Sequence, residues 1–177
     1  ADQLAKEKDW IFKESPKTKD GWRRVVPSPK PINVLNHKVI DQLVKQGNIV
    51  IAVGGGGVPV YIDDENNVRP AEAVIDKDSA SAVLGATINA DEFYILTDVP
   101  YVYINYNKLN QEKKEFLDKK DTEMYLEQGM FGEGNMSPKI RACLNFIENG
   151  GKKSVITEAT KLEDKTYGTK ITLEYED

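Results

Sequence analysis

Asn48-Ile49-Val50-Ile51-Ala52-Val53-Gly54-Gly55-Gly56-Gly57 is a solid apolar run that stops at four consecutive glycines. An apolar run of this length with no polar alternation suits a strand buried on both faces of a parallel sheet. In open α/β sheets ligands gather at the carboxyl ends of strands. Glycines placed there let backbone N–H groups approach an anion with no side chain in the way; the alternative is a flexible turn into the next segment. The run is not a P-loop, because no Gly-Lys-Ser/Thr closes it. It also fails the dinucleotide fingerprint: Gly54 and Gly56 fit, but Pro59 stands where the third glycine belongs.

Outward from this run, short apolar runs alternate with helical periods. Glu92-Phe93-Tyr94-Ile95-Leu96-Thr97 and Lys153-Ser154-Val155-Ile156-Thr157 read as further strands. A helix is expected over the stripe Leu35, Val39, Ile40, Leu43 and Val44, with Asn36 at the N-cap and Gly47 as the stop. Further helices are expected over 77–88 and 121–128. Another opens at Ser137-Pro138, carries the stripe Ile140, Cys143, Leu144 and Ile147, and closes at Gly150-Gly151. Val58 to Val68 reads as a hairpin around the polar turn Asp63 to Asn67, an excursion from the main sheet. Three prolines make 21–31 extended, and 108–120 reads as a solvated helix or loop. Strands alternating with helices imply a three-layer α/β domain.

The chain has 177 residues, 40% hydrophobic and 30% charged, enough for a packed core. A net charge of -5 argues against a nucleic-acid-binding face spread over the domain, though a local basic cluster can still hold a phosphate. The single cysteine, Cys143, forms no disulfide within the chain and sits on an apolar helix stripe, so it reads as core in a reducing, cytoplasmic setting. No apolar stretch approaches the roughly 20 residues a spanning helix needs, so no membrane association is expected. One histidine, His37, and one cysteine leave no transition-metal ligand set and no Cys/His or Ser/His/Asp nucleophile. The first residue is Ala1 rather than Met, inside an amphipathic pattern (Leu4, Ala5, Lys8). A piece of a longer polypeptide is expected; the alternative is a processed or engineered start.

The chemistry-bearing residues cluster at two helix starts. In Val74-Ile75-Asp76-Lys77-Asp78, either aspartate suits an N-cap. Lys77 does not suit its place, since a cation in the first turn opposes the helix dipole unless an anion is nearby. Lys139, in Gly134-Asn135-Met136-Ser137-Pro138-Lys139, repeats the anomaly. Two such lysines suggest a shared anion, such as a phosphate at helix N-termini. Phosphoryl transfer asks the protein mainly for positioning and charge stabilisation, and two lysines held by one aspartate would supply it. At the end of the second strand, Thr97 and Asp98 can reach a ribose or a lysine. Tyr101, Tyr103 or Tyr106 can line an adenine slot or be plain core or surface, and Met136 is either core filler or adenine contact.

Together these motifs resemble the carbamate kinase family of the amino-acid kinase superfamily, over nearly the whole chain. The resemblance rests on four stretches in this order. They are Gly21-Trp22-Arg23-Arg24-Val25-Val26-Pro27-Ser28-Pro29-Lys30-Pro31, Gly54-Gly55-Gly56-Gly57-Val58-Pro59-Val60, Ala73-Val74-Ile75-Asp76-Lys77-Asp78 with Ala80-Ser81, and Met136-Ser137-Pro138-Lys139.

The resemblance implies a three-layer αβα sandwich with a mainly parallel central sheet, incomplete at its N-terminus. Residues 1–31 would be the end of a protruding subdomain and its connector, and 32–177 the nucleotide-binding domain. It implies that Lys77 and Lys139 stabilise the phosphoryl group in flight, with Asp78 orienting them. Gly54, Gly55, Gly56 and Gly57 would lie near the phosphates, and Thr97, Asp98, Tyr101 and Met136 would bind the nucleotide. It implies ATP/ADP with Mg2+, transfer between ATP and carbamate, arginine breakdown by the deiminase route, and a cytoplasmic homodimer. Family chains begin with a further segment that carries a Gly-Gly-Asn loop, most of the carbamate site and another lysine. The chain should therefore not turn over alone. Two other readings remain open: a relative acting on acetylglutamate or aspartate, from which Asp76-Lys77-Asp78 and Trp22-Arg23-Arg24 separate it, and a nucleotide-binding module without chemistry.

Overall fold

A computed structural model describes residues 2–15, 21–131 and 136–175. Ala1, and Gly134 and Asn135 ahead of Lys139, lie outside the described residues. The chain divides into two compact units, Ala1–Lys30 with Val58–Ile75, and Pro31–Gly57 with Asp76–Asp177.

The first unit holds helix α1 (Asp2–Lys8) and two antiparallel hairpins, β1 (Ile11–Glu14) with β2 (Trp22–Val25), and β3 (Val60–Ile62) with β4 (Val68–Pro70). The expected extended segment is thus partly strand. The Arg24 guanidinium lies 3.9 Å over the Trp10 ring and pairs with Glu72, while Val74 N–H donates to Pro27 O at 2.9 Å. The polar turn between β3 and β4 is organised by Asp63. Its carboxylate accepts from Arg69 Nε at 2.8 Å and from the Asn67 N–H at 2.7 Å. The Arg69 bond, then the Asn67 amide, holds the Asp63 carboxyl below its ordinary value.

The second unit begins with α2 (His37–Lys45). It continues through α3 (Lys77–Thr87), β5 (Glu92–Thr97), β6 (Val102–Ile104), β7 (Glu112–Lys114), β8 (Phe116–Leu117) and α4 (Lys119–Glu127). It ends with α5 (Met136–Glu148), β9 (Lys153–Glu158) and β10 (Thr169–Ile171). The fold is α/β. A four-stranded sheet runs β5-β9-β10-β8, with β5 parallel to β9, β8 parallel to β10, and β9 antiparallel to β10. The strands expected at 92–97 and 153–157 are present and are neighbours. Strands β6 and β7 form a separate hairpin. Part of 108–120, expected as solvated helix or loop, is therefore strand. Lys114 and Phe116 find partners far along the chain, which local periodicity does not report.

Helices α3 and α5 pack against each other, and α5 covers β9. The stripe Ile140, Cys143, Leu144 and Ile147 is buried as its spacing demands, together with Phe146. These residues join Ile95, Val102, Ile104, Leu117, Ile156 and Ile171 in one core. Phe146 is the largest fully buried side chain, and its ring meets Phe93 at 5.4 Å. The turn out of α5 is built around it. Gly150 takes φ 101°, and Gly151 N–H donates back to Phe146 O at 3.0 Å, the closure a glycine C-terminus provides. A Cβ on Gly151 would run into the Phe146 ring.

One expected strand is absent. Asn48 to Val53 pairs with no strand among the described residues, and Ile49 and Ile51 are 98% and 97% exposed. The α2 stripe that precedes it is also open: Leu35, Val39, Leu43 and Val44 are exposed. Apolar pattern reports the burial a segment is suited to, but a strand also needs a hydrogen-bonded neighbour, and none is supplied here. Asn36 occupies the α2 N-cap position without a side-chain cap bond. The half-buried His37 turns its Nδ1 to Val34 O at 2.8 Å.

Candidate active site

Asp76 and Asp78, interchangeable as caps on sequence grounds, take different jobs. Asp76 is the N-cap of α3, its carboxylate accepting from Ser79 N–H at 2.8 Å. Asp78, two residues further in, is left to face across the helix pair. Its Oδ2 accepts from Lys139 Nζ at 2.9 Å and from Lys77 Nζ at 3.2 Å. The side chains of Asp78 and Lys139 are 11% and 12% exposed, whereas that of Lys77 is 55% exposed. Two ammonium groups on one carboxylate leave a local charge of about +1, with one cation fixed and one facing solvent.

Backbone dipoles add to that charge. Lys77 and Asp78 open α3, and Lys139 lies in the first turn of α5. The two helices run parallel. Their first turns meet through Asp78 and Lys139, and further along Gly85 of α3 lies beside the Phe146 ring of α5. Both positive helix ends thus coincide with the two lysines. Each helix is also followed by a strand it packs on, α3 by β5 and α5 by β9. Short connections force the helices antiparallel to those strands. The helix starts therefore lie at the carboxyl edge of β5 and β9, where ligand sites form in such sheets.

The same edge carries Thr97, Asp98 and Glu158. Thr97 and Glu158 are register partners at the ends of β5 and β9, and Thr97 Oγ1 donates to Asp98 Oδ1 at 3.2 Å. Tyr101 follows, its ring centroid 5.1 Å from that of Tyr167 and 4.6 Å from Lys113 Nζ. Tyr167 O–H donates to Glu158 Oε2 at 2.8 Å, and this bond pushes the phenol pKa up to about 12. Glu158 and Tyr167 were missed in the sequence. Glu158 lies one residue past the apolar run 153–157, and Tyr167 stands in a polar loop with no pattern of its own. Met136, at the start of α5, is half-buried against the core.

The glycine run makes a tight turn of its own. Val53, Gly54, Gly56 and Gly57 all take positive φ, and Gly56 N–H donates to Val53 O at 3.0 Å. Glycine removes the strain such backbone places on a Cβ. The loop's hydrogen bonds do not reach Asp78, Lys77 or Lys139. Cys143 is fully buried, and burial drives its thiol pKa far above the ordinary value. Among the described residues no three of His, Cys, Asp and Glu gather as a metal site, and no helix is long and apolar enough to cross a membrane.

The chain is similar to known proteins in sequence and fold. The Amino acid kinase family profile matches residues 4–158. A carbamate kinase of Thermoplasma acidophilum is 51% identical over 153 residues, 86% of this chain and 49% of that protein. A crystal structure of an Aeropyrum pernix K1 protein superposes with a TM-score of 0.87 at 37% identity, covering 98% of this chain and 56% of that one. The carbamate kinase of Giardia lamblia bound to AMP-PNP superposes at 0.85 with 36% identity, covering 97% and 54%. The chain spans about half the length of the curated relatives it matches. With the family profile running through both lysines' helices and on to the end of β9, the chain belongs to the amino acid kinase family.

Proposed function

We propose that this chain is the C-terminal, nucleotide-binding part of a carbamate kinase, which moves a phosphoryl group between ATP and carbamate and serves to form ATP from ADP and carbamoyl phosphate. One observation carries the reading: Asp78 Oδ2 accepts from both Lys77 Nζ and Lys139 Nζ at the coincident N-termini of α3 and α5. The similarity to carbamate kinases supports the choice of acceptor.

In this reading residues 32–177 form the nucleotide domain, with Val58–Ile75 an excursion from it that packs with the first unit, and 1–31 form the end of a protruding subdomain and its connector. Charge on a transferring phosphoryl group spreads over its three equatorial oxygens, and the protein contributes position and cations. Lys139, fixed by Asp78, meets one oxygen without reorganising. Lys77, the exposed partner, swings from Asp78 to another as the group arrives. Preorganised cations outweigh those that must be gathered at the moment of reaction. Thr97, Asp98, Tyr101 and Met136 hold the nucleoside end, and Gly54 to Gly57 lie against the phosphates.

Mg2+ fits as a companion of the nucleotide: with no carboxylate cluster among the described residues, its ligands would be phosphate oxygens and water. When bound it neutralises phosphate charge. The working protein is a cytoplasmic homodimer in this reading.

The test is ATP formation from ADP and carbamoyl phosphate. The chain extended at its N-terminus with the matching segment of a Thermoplasma carbamate kinase should form ATP, and the 177-residue chain alone should not. An inactive extended protein that is folded, or one that phosphorylates acetylglutamate or aspartate instead, would overturn the assignment.

A further inference from the structure

The carboxyl edge of the sheet carries an aromatic pair beyond the lysines, two half-buried tyrosines fastened from several sides. Tyr101 precedes β6, and Tyr167 lies just before β10. Buried Thr169 ties the two approaches together. Its Oγ1 accepts from Val102 N–H at 2.8 Å and donates to Lys114 O, so one hydroxyl locks the starts of β6 and β10 and the end of β7. Gly168 fastens the other side. It takes φ 93°, and a Cβ there would lie 2.6 Å from Ile156 O and 2.7 Å from Thr157 Cβ, so only glycine lets this loop lie against β9. Tyr167 is then tethered at its far end by Glu158. Backbone on both flanks and hydroxyl at the tip leave its ring little freedom.

We propose that Tyr167, tethered through its hydroxyl to Glu158, is a positioning residue that sets the Tyr101 ring as a rigid wall for the nucleobase. This rests on the nucleotide-binding reading given above. The register places the pair suitably: Thr97 is next to Glu158 on adjacent strands, and Tyr167 reaches Glu158 from the loop that leads into β10. Two strand spacings, roughly 10 Å, separate the Thr97 end of the site from the ring pair.

The face of Tyr101 now carries Lys113 Nζ at 4.6 Å, a half-exposed cation also held by Glu115. An exposed cation over a ring holds it more weakly than a stacked base does, so a base displaces Lys113 rather than being excluded by it. A wall already in place costs the ligand less ordering on arrival.

Titration calorimetry of the 177-residue chain with ADP and, separately, with inorganic pyrophosphate tests this. The wild-type chain should bind ADP more tightly than pyrophosphate. Tyr167→Ala should weaken ADP about tenfold, the scale of one lost base–aromatic stack, and leave pyrophosphate within about twofold. Tyr167→Phe, which keeps the ring and loses the tether, should fall between. Unchanged ADP binding in Tyr167→Ala overturns the positioning role. So does equal weakening of both probes, which marks a general loss of structure. A wild-type chain with no preference for ADP over pyrophosphate overturns it too, and there the underlying nucleotide reading fails, in a result visible before any variant is made.

Discussion

Lys139 and Asp78 stand 61 positions apart in the chain, yet Lys139 Nζ donates to Asp78 Oδ2 at 2.9 Å with both side chains nearly buried. Lys77 completes the group from solvent. A lone buried ammonium or carboxylate would be costly. Here each offsets the other, and the exposed third member leaves the group a net cation. This is a charge arrangement suited to receiving an anion rather than to bracing the core.

Lys139→Ala removes the fixed cation. In the extended enzyme the rate of ATP formation should fall about a hundredfold or more, which at ~1.4 kcal/mol per tenfold is roughly 3 kcal/mol of transition-state stabilisation. Steady-state kinetics on the variant check this. Wild-type turnover would remove Lys139 from the mechanism.

Asp78→Asn keeps the shape and loses the charge that holds both lysines. The expected signature is a fall in kcat larger than any rise in the nucleotide KM, because the cations remain but are no longer aimed. A variant that binds nucleotide poorly yet turns over normally would recast Asp78 as a binding residue.

Phe146→Ala should destabilise the fold by about 3–5 kcal/mol, the usual range for emptying a buried aromatic site, because Phe146 is fully buried against Phe93. Gly151→Ala should also destabilise it, since the new methyl meets the same ring. Chemical denaturation of both variants measures this. An unchanged midpoint for Gly151→Ala would mean that the ring moves aside freely.

The Tyr167 phenol should titrate late. Its folded pKa, about 12, is raised above the ordinary tyrosine value by the bond to Glu158. The stabilisation is therefore whole below about pH 10 and is lost as pH rises through the folded value. Ultraviolet titration of wild type against Tyr167→Phe should lose one transition in that high range and none near pH 10.

Much of the site was legible because its residues break local rules. A lysine in a helix's first turn is out of place unless something negative is near, and both offending lysines do converge. The local pattern alone does not say which aspartate serves them; only the family resemblance names Asp78. Asp76 and Asp78 are equal as sequence, and only the bond from Ser79 N–H to Asp76 frees Asp78 for the lysines. Strands β8 and β10 were invisible because two or three residues show no period and their pairing is set by residues far away. Glu158 and Tyr167 acquire meaning only once β10 is laid beside β9.

The run from Asn48 to Val53 carries a practical consequence for anyone handling this polypeptide. Two isoleucines stand almost wholly in water beside amides and carbonyls that no strand among the described residues engages. Such an edge is adhesive. In concentrated solution the 177-residue polypeptide should self-associate through this stretch, which light scattering against concentration would register.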